Sequence, residues 1–214
     1  MVIVIPVRLE SSRLYGKVLL DLKGKPIIQH VYERCKESNA DEVYIITNNK
    51  KICNVVKHFT DKIIISKEEH PNGTSRLFES LPHINDNIII NVQGDEPFID
   101  PELINAVGSR VSESYPYPVS AMVKSQNKYK VNVIDNGKDF SRTIVTPYKH
   151  IGIYGLTPRL IRLYNQLKET DREVLESLEQ LRFTDNGICF NMVEWDNDLI
   201  DINTQEDYDL AKRL

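Results

Sequence analysis

The sequence is poor in the features that mark several large classes of protein. It contains only three cysteines among 214 residues, at positions 35, 53 and 189. Three thiols cannot all pair with one another, and their spacing fits no metal-binding motif. We therefore expect reduced cysteines in a reducing compartment, and neither a disulfide framework nor a cysteine-based metal centre.

Long apolar runs and an excess of basic charge are also missing. No apolar stretch approaches the ~20 residues of a membrane-spanning helix, and Pro6 interrupts the opening MVIVIPVR too early for a signal peptide. The formal net charge is -4, whereas nucleic-acid-binding proteins generally present a basic surface. We expect a cytoplasmic protein that neither enters a membrane nor binds nucleic acid.

The first half of the chain alternates short β-branched runs with helical patterns. The apolar runs are residues 2–5, 43–46, 63–65 and 88–92. Such runs are typical of strands that are buried on both faces of a parallel sheet. Helical spacing follows Pro26 and Pro101, and residues 74–81 could form a further short helix. Residues 1–112 therefore predict a βαβαβαβα order and a sheet covered by helices on both sides.

The second half has a different pattern after the break at residues 114–118. It predicts strands over residues 119–123, 131–134, 149–155 and 188–193, with helices over 158–167 and 172–182. In the second of these helices, Val174, Leu175, Leu178 and Leu181 fall on one face. Thr204, followed three residues later by an acid, predicts the start of a last helix. The fold class is α/β, with a Rossmann-like, mixed but mostly parallel sheet in one domain, residues 1–214.

Polar residues cluster where the predicted strands end, and ligands of open α/β sheets bind at the carboxyl ends of strands. The loop after the first strand carries Arg8, Ser12, Arg13 and Lys17. Cationic side chains of this kind suit a triphosphate, with arginine supplying forked hydrogen bonds and lysine a point charge. The phosphate-binding patterns GxxxxGK[ST] and GxGxxG are absent, and a solvated basic loop is the alternative.

Three further segments carry candidate ligands. The fourth strand ends in Gln93-Gly-Asp95-Glu-Pro, where Asp95 could hold Mg²⁺ and Gln93 could contact a base or sugar; an ordinary acidic turn is the alternative. After the third strand, residues 70–76 place Thr74 as a helix cap and Arg76 near the same crevice. Residues 201–203 offer two oxygen ligands that a returning strand would bring to Asp95.

These motifs together resemble those of the 3-deoxy-manno-octulosonate (Kdo) cytidylyltransferases, also called CMP-Kdo synthetases. The matching segments are IPxR, SRLxGK, GTxR, VQGDEP, FSR, HIGIYG and LEQLR, which cover nearly the whole chain in the same order. The resemblance implies a nucleotide-diphospho-sugar transferase type of fold, with a nucleotide-binding half over residues 1–112. Residues 113–214 would form a small α+β lobe for sugar binding and dimerisation.

The resemblance also implies an activity, a cofactor and a partner. CTP and a 2-keto-3-deoxy sugar acid would give a CMP-sugar and pyrophosphate, with Mg²⁺ as cofactor and a homodimer as the assembly. The residues implied for nucleotide binding are Arg8, Ser12, Arg13, Lys17, Thr74 and Arg76, and those for catalysis are Arg13, Lys17 and Asp95. The residues implied for the sugar acid are Gln93, Arg142, His150, Tyr154, Glu179 and Gln180, and those for the metal are Asp95, Asp201 and Asn203.

Three departures from the family pattern bear on the substrate. Tyr15 and Val18 replace prolines of the first loop, and only residues 143–149 separate Arg142 from His150, where the family has a longer connector. Asn203 stands where the family has a metal-binding aspartate, so Asp201 is the alternative ligand. Other activities stay open: transfer to a sialic-acid-like acid, to an amino-Kdo or to a sugar or alcohol phosphate, or nucleotide binding with weak catalysis.

Overall fold

The structure is a computed structural model that describes residues 1–11, 13–127 and 130–214. The strands are β1 (Val2–Pro6), β2 (Asp21–Leu22), β3 (Lys25–Pro26), β4 (Glu42–Thr47), β5 (Ile63–Ile65), β6 (Ile89–Val92), β7 (Val119–Lys124), β8 (Asn132–Ile134), β9 (Asp139–Ser141), β10 (Tyr148–Leu156) and β11 (Asn191–Trp195). The α-helices are α1 (Ile27–Lys36), α2 (Lys50–Val56), α3 (Gly73–Arg76), α4 (Pro101–Ser114), α5 (Pro158–Gln166), α6 (Asp171–Glu176), α7 (Leu181–Thr184) and α8 (Gln205–Ala211). Among these helices none is both long and apolar enough to cross a membrane.

One mixed sheet organises the molecule. Its main strands run in the order β11-β7-β10-β6-β1-β4-β5, and β8 and β9 extend from β10. Strands β6, β1, β4 and β5 are mutually parallel, as are β7 and β11, while β10 runs antiparallel to both of its neighbours. This confirms the mixed, mostly parallel sheet expected from the sequence.

Two apolar cores cover the two faces of this sheet. Side chains of β1 alternate between them, because successive residues of a strand point to opposite faces. Ile3 and Ile5 pack into the core that contains α1 and α4, whereas Val2 and Val4 pack into the core that contains α5 and α7. The all-apolar runs of the sequence are therefore strands buried on both faces, as predicted.

The second half of the chain contributes mainly to the same sheet. Strands β7, β10 and β11 complete it, whereas the short β8 and β9 form an antiparallel extension near the start of β10. The separate lobe predicted for residues 113–214 is thus not confirmed. The division into residues 1–112 and 113–214 stays a prediction.

Three predictions of local structure are wrong. Thr74 does not cap a helix, because α3 is capped by Asn72, whose side chain accepts from the Ser75 amide. The single helix predicted over residues 172–182 is two helices, α6 and α7, because Ser177 adopts a left-handed conformation with φ 51°. Its predicted face is also split: Leu178 and Leu181 are buried, whereas Leu175 is 84% exposed. Residues 201–203 do not form a strand; instead, the Ile202 amide donates one hydrogen bond of 2.9 Å to the carbonyl of Asp95.

Candidate active site

A large cavity opens at the carboxyl edge of β1 and β6, with a volume of about 1260 Å³. Most of the residues predicted for the site line it: Arg8, Arg13, Lys17, Arg76, Gln93, Asp95, Arg142, His150, Tyr154, Glu179, Gln180, Asp201 and Asn203. Ser12 lies outside the described residues. The side chain of Thr74 is buried beside Asn91 and does not line the cavity. Its role in nucleotide binding stays a prediction.

Four arginine side chains face this cavity without a carboxylate partner in the described part of the chain. Arg8 donates to the carbonyl of Pro71 (3.1 Å), Arg13 to the amide oxygen of Asn203 (2.6 Å) and Arg142 to the carbonyl of Glu176 (2.8 Å). The buried Nη1 of Arg76 has no hydrogen-bond partner among those residues, and burial, followed by Arg8, lowers the pKa of its guanidinium. Arg76 is the buried member of the four, and a buried cation without a partner is costly, so this arrangement fits an anionic ligand.

Asp95 and Asn203 converge on a single cation, the ammonium of Lys17. Its Nζ lies 2.5 Å from Oδ2 of Asp95 and 3.1 Å from Oδ1 of Asn203. Asp201 does not share this position: its Oδ1 pairs with Nζ of Lys149 at 2.9 Å, and its other oxygen accepts from the Asn203 amide nitrogen. The geometry therefore selects Asn203 over Asp201 as the neighbour of Asp95.

The pair formed by Asp95 and Asn203 fits a hard divalent cation. Carboxylate and amide oxygens are ligands that Mg²⁺ accepts, usually together with phosphate oxygens and water. Two such oxygens already lie within hydrogen-bond distance of one positive charge. Asp201 is a supporting residue in this arrangement, since it fixes which end of the Asn203 amide points at Lys17.

The VQGDEP turn and the HIGIYG strand meet at Gly152. The Gly152 amide donates to Oε1 of Glu96 (2.8 Å), and its carbonyl accepts from the Gln93 amide (2.9 Å). A β-carbon at position 152 would lie 2.6 Å from Oε1 of Glu96 and 2.9 Å from Oε1 of Gln93. Only glycine allows this approach, which explains the glycine of the second motif.

Glu96 and Lys149 are the functional-site residues that the sequence did not reveal. Both are almost fully buried. Burial, followed by Asp201 and Asp95, raises the pKa of Glu96 to about 8. Burial alone would lower the pKa of Lys149, but Asp201, Glu96 and Asp198 raise it overall. In the sequence, these two residues are marked only by their neighbours: Glu96 follows Asp95, and Lys149 precedes His150.

Glu179 connects the turn at Thr74 to the turn at Gln93. One of its oxygens accepts from the Thr74 amide (2.9 Å) and the other from Nε2 of Gln93 (3.2 Å). Burial raises the pKa of this carboxyl group, and burial together with Glu179 raises the pKa of the Tyr154 phenol. The LEQLR segment thus positions two turns from residues 1–112.

His150 is held as a neutral imidazole. The Ser120 hydroxyl donates to the carbonyl of Ile153 (2.6 Å), so its oxygen must accept from Nε2 of His150 (2.8 Å). Nδ1 then accepts from Nε2 of Gln180 (3.3 Å), and burial lowers the pKa of the ring to about 3. Both ring nitrogens are therefore engaged, and the ring holds the Gln180 side chain in place.

Comparison with known proteins shows which family the chain resembles. A family described as cytidylyltransferase matches residues 2–135. The 3-deoxy-manno-octulosonate cytidylyltransferase of Fusobacterium nucleatum is 35% identical over 95% of this chain and 91% of its own length. The enzyme of the same name from Escherichia coli is 38% identical over 90% of this chain and 87% of its own length.

Solved structures resemble this chain in fold, and one of them also in sequence. The structure of a CMP:2-keto-3-deoxy-manno-octonic acid synthetase complexed with CTP matches with a TM-score of 0.86 and 33% identity, covering 100% of this chain and 99% of that one. The inositol-1-phosphate CTP transferase from T. maritima shares the fold with a TM-score of 0.74, at 15% identity, over 99% of this chain and 95% of its own. The chain therefore belongs to the 3-deoxy-manno-octulosonate cytidylyltransferase family, and it is a nucleotidyltransferase.

Proposed function

We propose that the protein transfers the CMP group of CTP to the anomeric hydroxyl of a 2-keto-3-deoxy sugar acid, Kdo or a close relative. A bond forms between the anomeric oxygen and the α-phosphorus of CTP. The bond from the α-phosphorus to the oxygen bridging the β-phosphorus breaks, pyrophosphate leaves and the hydroxyl proton is released. The observation that carries this proposal is the cavity with four arginines that have no carboxylate partner among the described residues.

The cations of the cavity divide between the two substrates in this proposal. Arg8, Arg13 and Lys17, on the loop after β1, would bind the triphosphate, with Arg76 on the nucleotide side. Arg142 would pair with the carboxylate of the sugar acid, and Gln93 and Gln180 would bind its hydroxyls. This leaves Asp95 and Asn203 between the two groups, where Mg²⁺ would neutralise phosphate charge and lower the pKa of the attacking hydroxyl.

Positioning and charge neutralisation are the expected sources of the rate. Phosphoryl transfer needs an attacking oxygen in line with the leaving group more than it needs covalent help from the protein. The Gly152 contact fixes Gln93 relative to β10, and Glu179 fixes Gln93 relative to Thr74. Gln93, which would face the sugar acid, is therefore connected through Glu179 to Thr74, near the proposed nucleotide site.

Pyrophosphate release tests this function directly. We expect release from CTP in the presence of Mg²⁺ and Kdo, an amino-Kdo or a nonulosonate, and no release with sugar phosphates. The variant Arg142→Gln should raise KM for the sugar acid about tenfold or more while KM for CTP changes little. Arg110→Gln is the matched control, since that side chain is half exposed on α4. Release with a sugar phosphate, or CTP binding without any turnover, would contradict the proposal.

The assembly is proposed to be a homodimer formed through the second half, and the location to be cytoplasmic. Exposed apolar side chains support the dimer: Ile144 and Val145, which follow the FSR segment, are 55% and 84% exposed. Sedimentation of the purified protein at several concentrations checks the assembly, and a monomer at all of them would refute it.

A further inference from the structure

The Lys17 ammonium bridges the two oxygens that suit the divalent cation. Its side chain is 12% exposed and that of Asp95 is 15% exposed, so the contact is largely shielded from water. Resting on the proposed function, we propose that Lys17 holds the cation position in the nucleotide-free protein, so that the divalent cation binds only together with the nucleotide. Lys17 would then move from Asp95 to the triphosphate.

The orientation of Asn203 is fixed independently of Lys17. Lys149 pairs with Asp201, and Asp201 accepts from the amide nitrogen of Asn203. The amide oxygen must therefore face Lys17 and Arg13, which both donate to it. Because Lys149 is buried, this support persists when Lys17 leaves. The oxygens of Asp95 and Asn203 are thus oriented before a divalent cation binds.

The local charge disfavours a divalent cation on its own. Asp95 supplies one negative charge and Asn203 none, while Asp201 is already neutralised by Lys149. The ammonium of Lys17 and the guanidinium of Arg13 both lie against the Asn203 oxygen. A cation entering alone would displace Lys17 from the one carboxylate that it contacts in the described part of the chain. It would then lie among like charges, which repel it.

The nucleotide reverses this balance. A triphosphate brings several negative charges and oxygen ligands, which complete the coordination that Mg²⁺ prefers. It also offers a new partner to Lys17, whose flexible four-carbon stem and compact charge suit a transfer between oxygens. Cation and nucleotide therefore enhance each other's binding, as reciprocal linkage requires.

Electron paramagnetic resonance of Mn²⁺ tests the proposal without measuring turnover. The nucleotide-free wild-type protein should bind Mn²⁺ weakly, and Lys17→Met should bind it at least about tenfold more tightly, a difference well within the usual range of coupling between sites. Lys17→Met/Asp95→Asn should lose that gain. Lys25→Met is the matched control, because Lys25 is half exposed and pairs with Glu33; it should behave as the wild type.

A second variant keeps the test independent of Lys17. Asn203→Asp adds a carboxylate beside Asp95 and should also raise the affinity of the nucleotide-free protein for Mn²⁺. Equal Mn²⁺ affinity in the wild type, Lys17→Met and Asn203→Asp would overturn the proposal. Calorimetry with CTP separates this result from a failure of the proposed function: a protein that binds no CTP, with or without Mg²⁺, contradicts the function, while the comparison of nucleotide-free variants still decides the role of Lys17.

Discussion

Gly152 shows how strongly a single residue can constrain this site. Its amide and carbonyl bond Glu96 and Gln93, and the side chains of both lie where a β-carbon would project. The contact joins the turn after β6 to β10 at the irregularity between Ile151 and Tyr154. Two motifs that are far apart in the sequence are therefore one structural unit.

Replacing this glycine should damage both stability and activity. Gly152→Ala should cost about 1–3 kcal/mol of unfolding free energy, as overpacking of a buried site generally does, and should lower kcat as Gln93 shifts. Denaturant unfolding measures the first effect. In the double variant Gly152→Ala/Glu96→Ala, the clash with Oε1 of Glu96 is removed. This variant should therefore be at least about 0.5 kcal/mol more stable than the sum of the two single effects predicts. Strict additivity would contradict the steric explanation.

At the scale of elements, Glu79 holds the loop that precedes α3. It lies on the 3₁₀ helix Leu77–His83 and accepts from Ser66, from the amides of Lys67 and Glu68, and from Nε2 of His70 (2.5 Å). The loop that leads to α3 is thus attached to the element that follows α3. His70 is part of this connection.

The Glu79 carboxylate should make the free energy of unfolding depend on pH in the acid range. Burial opposes ionisation of Glu79, but the four donors prevail and lower its pKa from 4.5 to about 2. A lowered folded-state pKa contributes stability that is present above pH 4.5 and is lost as the pH falls towards 2. Glu79→Gln should therefore lose of the order of 1 kcal/mol at pH 7 and show a flatter dependence on pH in that window. Urea unfolding at several pH values measures this, and parallel curves for the two proteins would contradict it.

The break between α6 and α7 shows why periodicity failed at this element. The side chain of Glu173 turns inward and pairs with Arg182 at 2.7 Å, and it also accepts from Asn72. This buried polar contact, rather than the apolar face of Val174 and Leu175, sets the orientation of α6. Partners so far apart in the chain cannot be predicted from a local pattern, whereas the cap by Thr204 can.

For the whole molecule, the arginines of the cavity predict a salt dependence. The chain carries a net charge of -4, and carboxylates outnumber basic side chains in the cavity lining, yet four of its arginines have no carboxylate partner in the described ranges. These arginines attract an anionic nucleotide at short range, and salt screens that attraction.

We therefore expect kcat/KM for CTP to fall about tenfold between about 0.05 M and 0.5 M NaCl, mainly through KM. Steady-state kinetics at fixed Mg²⁺ measures the slope. Arg76→Gln should reduce the slope, whereas Arg110→Gln, at the surface, should leave it unchanged. A rise in kcat/KM with salt would show that the net negative charge dominates.

The sequence by itself determined the strands of the sheet and the polar turns that follow them, because burial on both faces and turn chemistry depend on residue types within a few positions. It also placed Arg8, Arg13, Lys17 and Asp95 at one edge, since parallel strands end together. Only the tertiary structure decided which of Asp201 and Asn203 shares the Lys17 ammonium with Asp95. The backbone bond from Ile202 to Asp95 and the ion pair from Lys149 to Asp201 make that choice, and both join segments that become neighbours only when the chain folds.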